Sequence, residues 1–290
     1  MSIVSVRPFS LSDLGTAAEL CDGARKRDPS VEPFGQRLAL LATGPRSRVD
    51  LWRIAQDEEG VAQGIAFAAL RQPRSESAPA VLDVYATVAS EMRRQGLGRA
   101  LCEKLLCEPA VLRARVREES IAGRAFLRAL GFSETSAQLS LSWSARPLEQ
   151  RPTPGLRLRR AERNDAPAVE LLSREAWAGV PDAFAPRADE VVQLFTESER
   201  LVLLAEVDRR EAGYLSAVWL GGVLGIEEIA VLPRFRRAGI ARALVIEALR
   251  GAGRAVLSVA ESNSAARALY EGLGFTPCAR RSIYELRRGA

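Results

Sequence analysis

Apolar positions along this chain switch between period two and a helical period, and the switches mark out two similar runs of elements. Residues 156–160 (Leu-Arg-Leu-Arg-Arg) alternate as a strand. Asp165 stands as an N-cap with Pro167 in the first turn, which predicts a helix to about residue 176. Residues 201–207 and 213–220 flank the charged turn Asp208-Arg209-Arg210-Glu211, the pattern of a β-hairpin. A strand over 224–231 follows, then a helix over 240–249 with apolar residues at helical spacing. A strand over 255–260, a helix over 264–273 and a strand over 282–286 complete the run. The first half reads in the same order: strand, helix, strands, then strand–turn–helix–strand–helix–strand. An α/β chain is expected, each half a mixed sheet flanked by helices.

The order recurs because the sequence does. Arg93-Arg94-Gln95-Gly96-Leu97-Gly98 and Arg236-Arg237-Ala238-Gly239-Ile240-Ala241 both read R-x-x-G-x-[G/A], at an offset of 143 (236 − 93). Gly131-Phe132 and Gly274-Phe275 keep that offset (274 − 131). Val4-x-Val6-Arg7 with Asp13 matches Leu156-x-Leu158-Arg159 with Asp165 at 152 (156 − 4), the difference being insertions such as the polar loop 71–79. Residues 146–155 are Pro-rich and polar, a linker by composition. Two domains, 1–145 and 156–290, joined by a linker over 146–155, are therefore expected.

Composition narrows the chemistry. Apolar residues make up 47% and charged residues 27%, ordinary for a globular chain. No apolar run is long enough to span a membrane, and the alternating Met1–Arg7 stretch does not read as a signal peptide. A cytoplasmic monomer or homodimer is expected. The chain has no histidine, which excludes Ser-His-Asp and Cys-His catalysis and leaves acid–base work to Glu, Asp, Tyr, Cys or Lys. Cys21, Cys102, Cys107 and Cys278 show no metal spacing, so buried, reduced thiols and no metal are expected. The net charge of +5 is nearly all arginine, Lys26 and Lys104 being the lysines. These basic residues are scattered and no nucleic-acid motif accompanies them, so such a partner is not expected.

The glycine turns carry the functional signal. A turn that ends a strand and opens a helix points backbone N–H groups one way, and the helix dipole adds positive charge there. Gly239 permits positive φ and close approach of an anion. Arg236, Arg237 and Arg242 can add charge-assisted hydrogen bonds, and the small Gly98 and Ala241 leave room for a diphosphate. Neither turn ends in the Gly-Lys-Ser/Thr of a Walker A loop. Gly251-Ala252-Gly253 follows a helix, the wrong context for a dinucleotide turn.

With these motifs the chain resembles the GNAT superfamily of acetyl-CoA-dependent N-acetyltransferases, as a tandem member. The family's pyrophosphate loop, [Q/R]-x-x-G-x-[G/A], is met by 93–98 and 236–241, and Val231-Leu232-Pro233 is similar to the family's strand ending. Asn263, Ala266, Tyr270, Gly274 and Phe275 fit its N-x-x-A-x-x-x-Y-x-x-x-G-F segment. The resemblance implies a mostly antiparallel sheet splayed between its fourth and fifth strands, with acetyl-CoA in the splay. Its pantetheine would pair near Ile229, Ala230 and Val231, and its diphosphate would sit on Arg236–Ala241, including Ala238 and Ile240, with Arg242 beside it. Asn263, equally suited to be an N-cap, would bond the pantetheine. Tyr270, equally suited to the core, would protonate the CoA thiolate. A fourth-strand carboxylate would be the base; alternation puts Glu227 and Glu228 on opposite faces, with Glu228 beside Ile226 and Ala230 and the first choice.

The first half departs from the pattern. Leu127 and Ser120 stand where Tyr270 and Asn263 stand, Val84 and Tyr85 replace the glutamates, and Asp83 is the carboxylate on that strand. Its turn (Arg93, Arg94, Gln95, Gly96, Leu97, Gly98) with Val88 is expected to bind CoA without transferring acetyl, or to be structural. The acceptor, a primary amine of a small molecule or peptide, is expected beside Trp177 and Phe184, with Asp182, Asp189 or Glu190 near its charge. A non-catalytic acyl-CoA-binding or regulatory module is the alternative.

Overall fold

The computed structural model describes residues 4–28, 35, 38–44, 46–71, 80–149, 152–178, 180, 188–196 and 198–287. Its first run of elements is β1 (Ser5–Pro8), α1 (Leu14–Arg27), α2 (Leu38–Thr43), β2 (Arg53–Gln56), β3 (Ala62–Arg71), β4 (Val81–Val88), α3 (Leu97–Leu106), β5 (Val111–Arg117), α4 (Ile121–Ala129) and β6 (Ser133–Ser144). The second is β7 (Leu156–Arg160), α5 (Ala166–Ala176), α6 (Ala188–Gln193), β8 (Arg200–Val207), β9 (Arg210–Leu220), β10 (Val223–Val231), α7 (Ile240–Ala248), β11 (Arg254–Ala260), α8 (Ser264–Glu271) and β12 (Thr276–Leu286).

Two compact units result, and each borrows a strand from the other half of the sequence. The first comprises Met1–Ala137 with Arg281–Ala290, the second Gln138–Arg280. In the first, strands run in the order β1-β2-β3-β4-β5-β12; in the second, β6-β11-β10-β9-β8-β7. Every neighbouring pair is antiparallel except β4–β5 and β10–β11, which are parallel. Residues 281–286 of β12 pair with β5, and residues 138–144 of β6 pair with β11. The chain thus crosses between units inside β6 and inside β12. The Pro-rich segment expected to link the domains lies within the second unit, where Leu148 packs on the core. Nothing in the even alternation of β6 marks the crossing.

Both sheets are covered on each face by helices over apolar clusters. In the first unit Leu82, Leu101 and Leu112 pack on the α3 side, and Ile54, Phe67 and Trp52 on the α1 side. In the second, Leu224, Leu244 and Leu257 pack on the α7 side, and Val169, Leu204 and Tyr214 on the α5 side.

The repeat extends to single hydrogen bonds. Arg7 forks onto Asp13 at 2.8 and 2.6 Å, and Arg159 forks onto Asp165 at 2.7 and 2.8 Å. Asp13 also accepts from Ser10 N and Asp165 from Glu162 N, both at 2.8 Å. Asp165 stands at the N-cap position of α5, as expected, but its side chain closes the preceding turn and makes no cap hydrogen bond to α5.

Candidate active site

In both units the parallel pair is short. β4 pairs with β5 at Val81, Leu82 and Asp83; β10 pairs with β11 at Leu224, Gly225 and Ile226. Beyond those positions the strands part. The 228–231 stretch of β10 keeps β9 on one side and has no β11 partner on the other, so its amide groups line a cleft.

The two clefts differ at one inserted residue. β4 pairs with β3 without interruption, whereas β10 shifts register against β9 between Ile226 and Glu228. Glu227 is the extra residue of this β-bulge, which re-aims everything after it. Ile226 lies in the α7-side core and Ala230 in the α5-side core, although two plus two residues would put them on one face of a regular strand. The expectation that Glu228 shares a face with both is corrected accordingly: it shares one with Ala230 only. Upstream of the bulge the repeat offset is 142, so Val84 corresponds to Ile226 (226 − 142) and Tyr85 to Glu228 (228 − 143).

Glu228 is held from α5. Ser173 Oγ donates to its Oε1 at 2.9 Å and Trp177 Nε1 to the same oxygen at 2.6 Å. Oε2 accepts from no described residue, which leaves it available for a proton. Ser173 and Trp177 are four residues apart on one helical face; Ser173 was not among the expected site residues, and that spacing was its signal. Glu227 is exposed and forms an ion pair with Arg200, away from this pocket. In the first unit Tyr85 fills the Glu228 position and stacks on Phe67, with ring centroids 4.8 Å apart. Asp83 is no base either: burial opposes its ionisation, but Arg115 and Arg71 outweigh burial and hold the carboxyl below its ordinary value.

The glycine turns are built alike. Gly96 and Gly239 have φ of 83° and 84°, and Arg94 and Arg237 before them 67° and 65°. Neither α3 nor α7 has a side-chain cap, so the N–H groups opening each helix are left for an anion. The first arginine of each motif is spent on structure: Arg93 Nε donates to Val88 O at 3.2 Å, and Arg236 Nε to Val231 O at 3.1 Å. Arg236 also reaches Ala176 O at 2.6 Å through Nη2, so it staples β10 to α5 with two of its three guanidinium nitrogens. Arg242 donates to Gly272 O, as Arg99 does to Ala129 O, and further to Glu149 O at 3.2 Å. Thr153 Oγ1 donates to Ala238 O at 3.1 Å, and a Cβ on Gly239 would stand 3.2 Å from that hydroxyl.

Tyr270 lies in the α7-side core, edge-on to Phe275 at 5.8 Å, and its hydroxyl bonds no described residue. Burial pushes its pKa up to about 12, so it keeps its proton at neutral pH. Asn263 is the N-cap of α8, accepting from Ala266 N at 3.1 Å. Its side-chain amide donors are not used in that cap. Ser120 has the same backbone conformation at the start of α4 without a side-chain cap. Asp182 and Phe184 lie outside the described residues, as does the side chain of Asp189. Among the described residues no acidic, cysteine or histidine cluster could hold a metal, and no helix is long and apolar enough to cross a membrane.

Residues 167–275, containing the bulge, the second turn and Tyr270, match the acetyltransferase (GNAT) family. They form a GNAT acetyltransferase domain. The tandem arrangement has solved counterparts. A GCN5-related N-acetyltransferase from Sphaerobacter thermophilus superposes with a TM-score of 0.68 at 20% identity, covering 99% of this chain and 97% of that one. A tandem GNAT protein from the clavulanic acid biosynthesis pathway gives 0.73 at 19%, covering 99% of both chains. The glucosamine N-acetyltransferase region of a fungal multi-domain β-N-acetylglucosaminidase gives 0.74 at 12%, covering 99% of this chain and 38% of that one. At these identities the likeness is one of fold: two GNAT-type domains in tandem. No curated protein matches the sequence significantly.

Proposed function

We propose that this GNAT chain is an N-acetyltransferase that moves acetyl from acetyl-CoA to a primary amine of a small molecule or peptide, with the chemistry in the second unit. The observation that carries the reading is the bulge: one added residue brings Glu228 onto Ser173 and Trp177 beside the opened strand edge. The cleft fits the cofactor in two respects. A strand edge without a partner runs along 229–231, and an uncapped helix start follows a glycine at positive φ.

Bound there, acetyl-CoA supplies an activated acetyl thioester. In the stretch Ile229, Ala230, Val231 the backbone groups that alternate onto the open edge would pair with its amide-bearing arm. N–H groups at Gly239, Ile240 and Ala241 would meet its phosphates, with Arg237 adding charge and Ala238 shaping the turn. Asn263 retains amide donors for the same arm. Glu228 Oε2 takes the proton of the attacking amine, directly or through water. A β10 backbone N–H donates to the developing oxyanion. Tyr270 gives its phenolic proton to the departing sulfur and is later reprotonated from solvent. Glu227, paired with Arg200, is the second choice of base.

The first turn, with Val88, Arg93, Arg94, Gln95, Gly96, Leu97 and Gly98, binds CoA without this chemistry. Calorimetric titration of acetyl-CoA followed by a free-thiol assay over a panel of amines tests the reading. Thiol release that Glu228→Gln abolishes supports it; release unaffected by Glu228→Gln and Tyr270→Phe overturns the residue roles. Binding with no release across the panel favours a non-catalytic module.

A further inference from the structure

The segment that composition marks as a linker is fastened to the second glycine turn. Arg146 lies over Gly274, where a Cβ would meet its guanidinium. Leu148 packs on the α7-side core. Glu149 O accepts at 3.2 Å from Nη2 of Arg242, in the first turn of α7. Thr153 Oγ1 donates at 3.1 Å to Ala238 O, inside the glycine turn itself. Leu156 N donates to Thr153 O at 3.2 Å, which ties this residue to the start of β7.

The first turn has no such attachment among the described residues. Gln95 O, the counterpart of Ala238 O (238 − 143 = 95), accepts from none of them. A Cβ on Gly96 would meet nothing within 4 Å, whereas one on Gly239 would stand 3.2 Å from the Thr153 hydroxyl. The absence of a side chain at Gly239 therefore also seats Thr153.

The direction of the Thr153 bond decides what it does. The Ala238–Gly239 peptide is trans, so its C=O and N–H point opposite ways. Thr153 holds the carbonyl, and the Gly239 N–H faces away from the segment, on the side open to a phosphate. The segment thus grips the turn from behind and leaves its anion-binding face clear. This peptide is also the one most able to flip. Glycine accepts φ of either sign, and Arg237 before it is held at φ 65°, a region disfavoured for a residue with a side chain.

We infer that Thr153 is a positioning residue for the second turn: its hydroxyl locks the Ala238–Gly239 peptide with the N–H presented to the cofactor, and 146–153 is the brace that carries it. The inference rests on the reading that this turn takes the diphosphate of acetyl-CoA. The first turn has matching backbone angles and no lock on its Gln95–Gly96 peptide, so it presents the same amides for less of the time.

Calorimetric titration of acetyl-CoA into the full chain carrying Gly96→Val, which strains the first turn, reads the second site. Losing one hydrogen bond of this kind shifts a conformational balance by about fivefold, and apparent affinity falls with the competent fraction. Adding Thr153→Val should therefore weaken acetyl-CoA by about fivefold, and Thr153→Ser, which keeps the hydroxyl, should bind as the parent does. S-acetylpantetheine, a thioester without the diphosphate, should behave alike in the parent and Thr153→Val chains. Thermal melts verify that each variant folds. Unchanged or tighter acetyl-CoA binding in folded Thr153→Val overturns the inference alone. So does a loss that Thr153→Ser shares, or an equal loss with S-acetylpantetheine. A folded Gly96→Val chain that binds no acetyl-CoA defeats the diphosphate reading of the second turn and the inference with it.

Discussion

Replacing Glu285 by alanine probes the strand that the end of the chain lends to the first unit. Glu285 faces Arg113 across the β5–β12 register, their side chains 3% and 5% exposed. Arg113 Nε and Nη2 donate to Glu285 Oε1 at 2.9 and 2.6 Å. The substitution leaves a guanidinium where water reaches it poorly, and losing one partner of a buried pair costs ~3–5 kcal/mol. The lower figure suits this site. Arg287, the other partner of Glu285, is 69% exposed and is readily solvated when freed, so only Arg113 is left buried. A loss of about 3 kcal/mol lowers a unit of this size by roughly 6–12 °C. Scanning calorimetry reads the shift, and hydrogen exchange over residues 111–117 locates it. Arg113→Met with Glu285→Leu should recover most of the loss, because the apolar pair leaves no charge behind. A melting shift under about 2 °C with unchanged exchange over β5 would refute the pairing of 281–286 with that strand.

Three further outcomes are expected. Glu228→Gln lowers kcat by about 100-fold or more and Trp177→Phe, which removes one hydrogen bond to the carboxylate, by about tenfold, with little change in acetyl-CoA affinity; an inactive protein that no longer binds acetyl-CoA would point to misfolding instead. Tyr270→Phe slows transfer at least ~10-fold, and since burial holds this phenol protonated up to about 12, the native rate should show no falling alkaline limb from it between pH 8 and pH 10; a limb that vanishes in the phenylalanine variant contradicts the burial argument. The Arg7 and Arg159 forks hold the carboxyls of Asp13 and Asp165 below their ordinary value, so both stabilise fully above about pH 4 and lose that contribution as pH falls through the depressed values. Urea midpoints followed from pH 6 down to pH 2.5 should therefore fall less steeply in Asp13→Asn with Asp165→Asn than in the native chain, and an equal slope counts against the assignment.

The fold was legible where local chemistry repeats. Gly96 and Gly239 predict their turns because a glycine takes positive φ without strain, and the matched Arg7–Asp13 and Arg159–Asp165 spacings mark the repeat, though not the fork that each pair forms. Period-two and helical stretches placed β7, β10, α7 and α8 within a residue or two. What stayed hidden depends on partners distant in sequence. The bulge at Glu227 is a register event between β10 and β9, and no residue within 223–231 announces it. It decides which glutamate meets Ser173 and Trp177, so the choice between Glu227 and Glu228 could not be made from alternation alone. The phosphate role of Arg236 reads from its motif, but its second task, two hydrogen bonds to nearby carbonyl oxygens, does not. The destination of β12 is hidden for the same reason: its 281–286 stretch reads as a strand, but its partner lies some 170 residues earlier (285 − 113 = 172).

That exchange sets an order on biosynthesis. Residues up to Ala137 leave the ribosome first, but the edge of β5 has to wait for Arg281. With 144 residues still to be made (281 − 137), at 5–20 residues per second the wait is roughly 7–29 s. Throughout it, the nascent first unit presents an open strand edge with Arg113 unneutralised by Glu285, a charge that discourages pairing with a stranger. The unit whose main part is made earlier is thus completed later, and a truncation that removes β12 would strike the unit built mainly from residues 1–137.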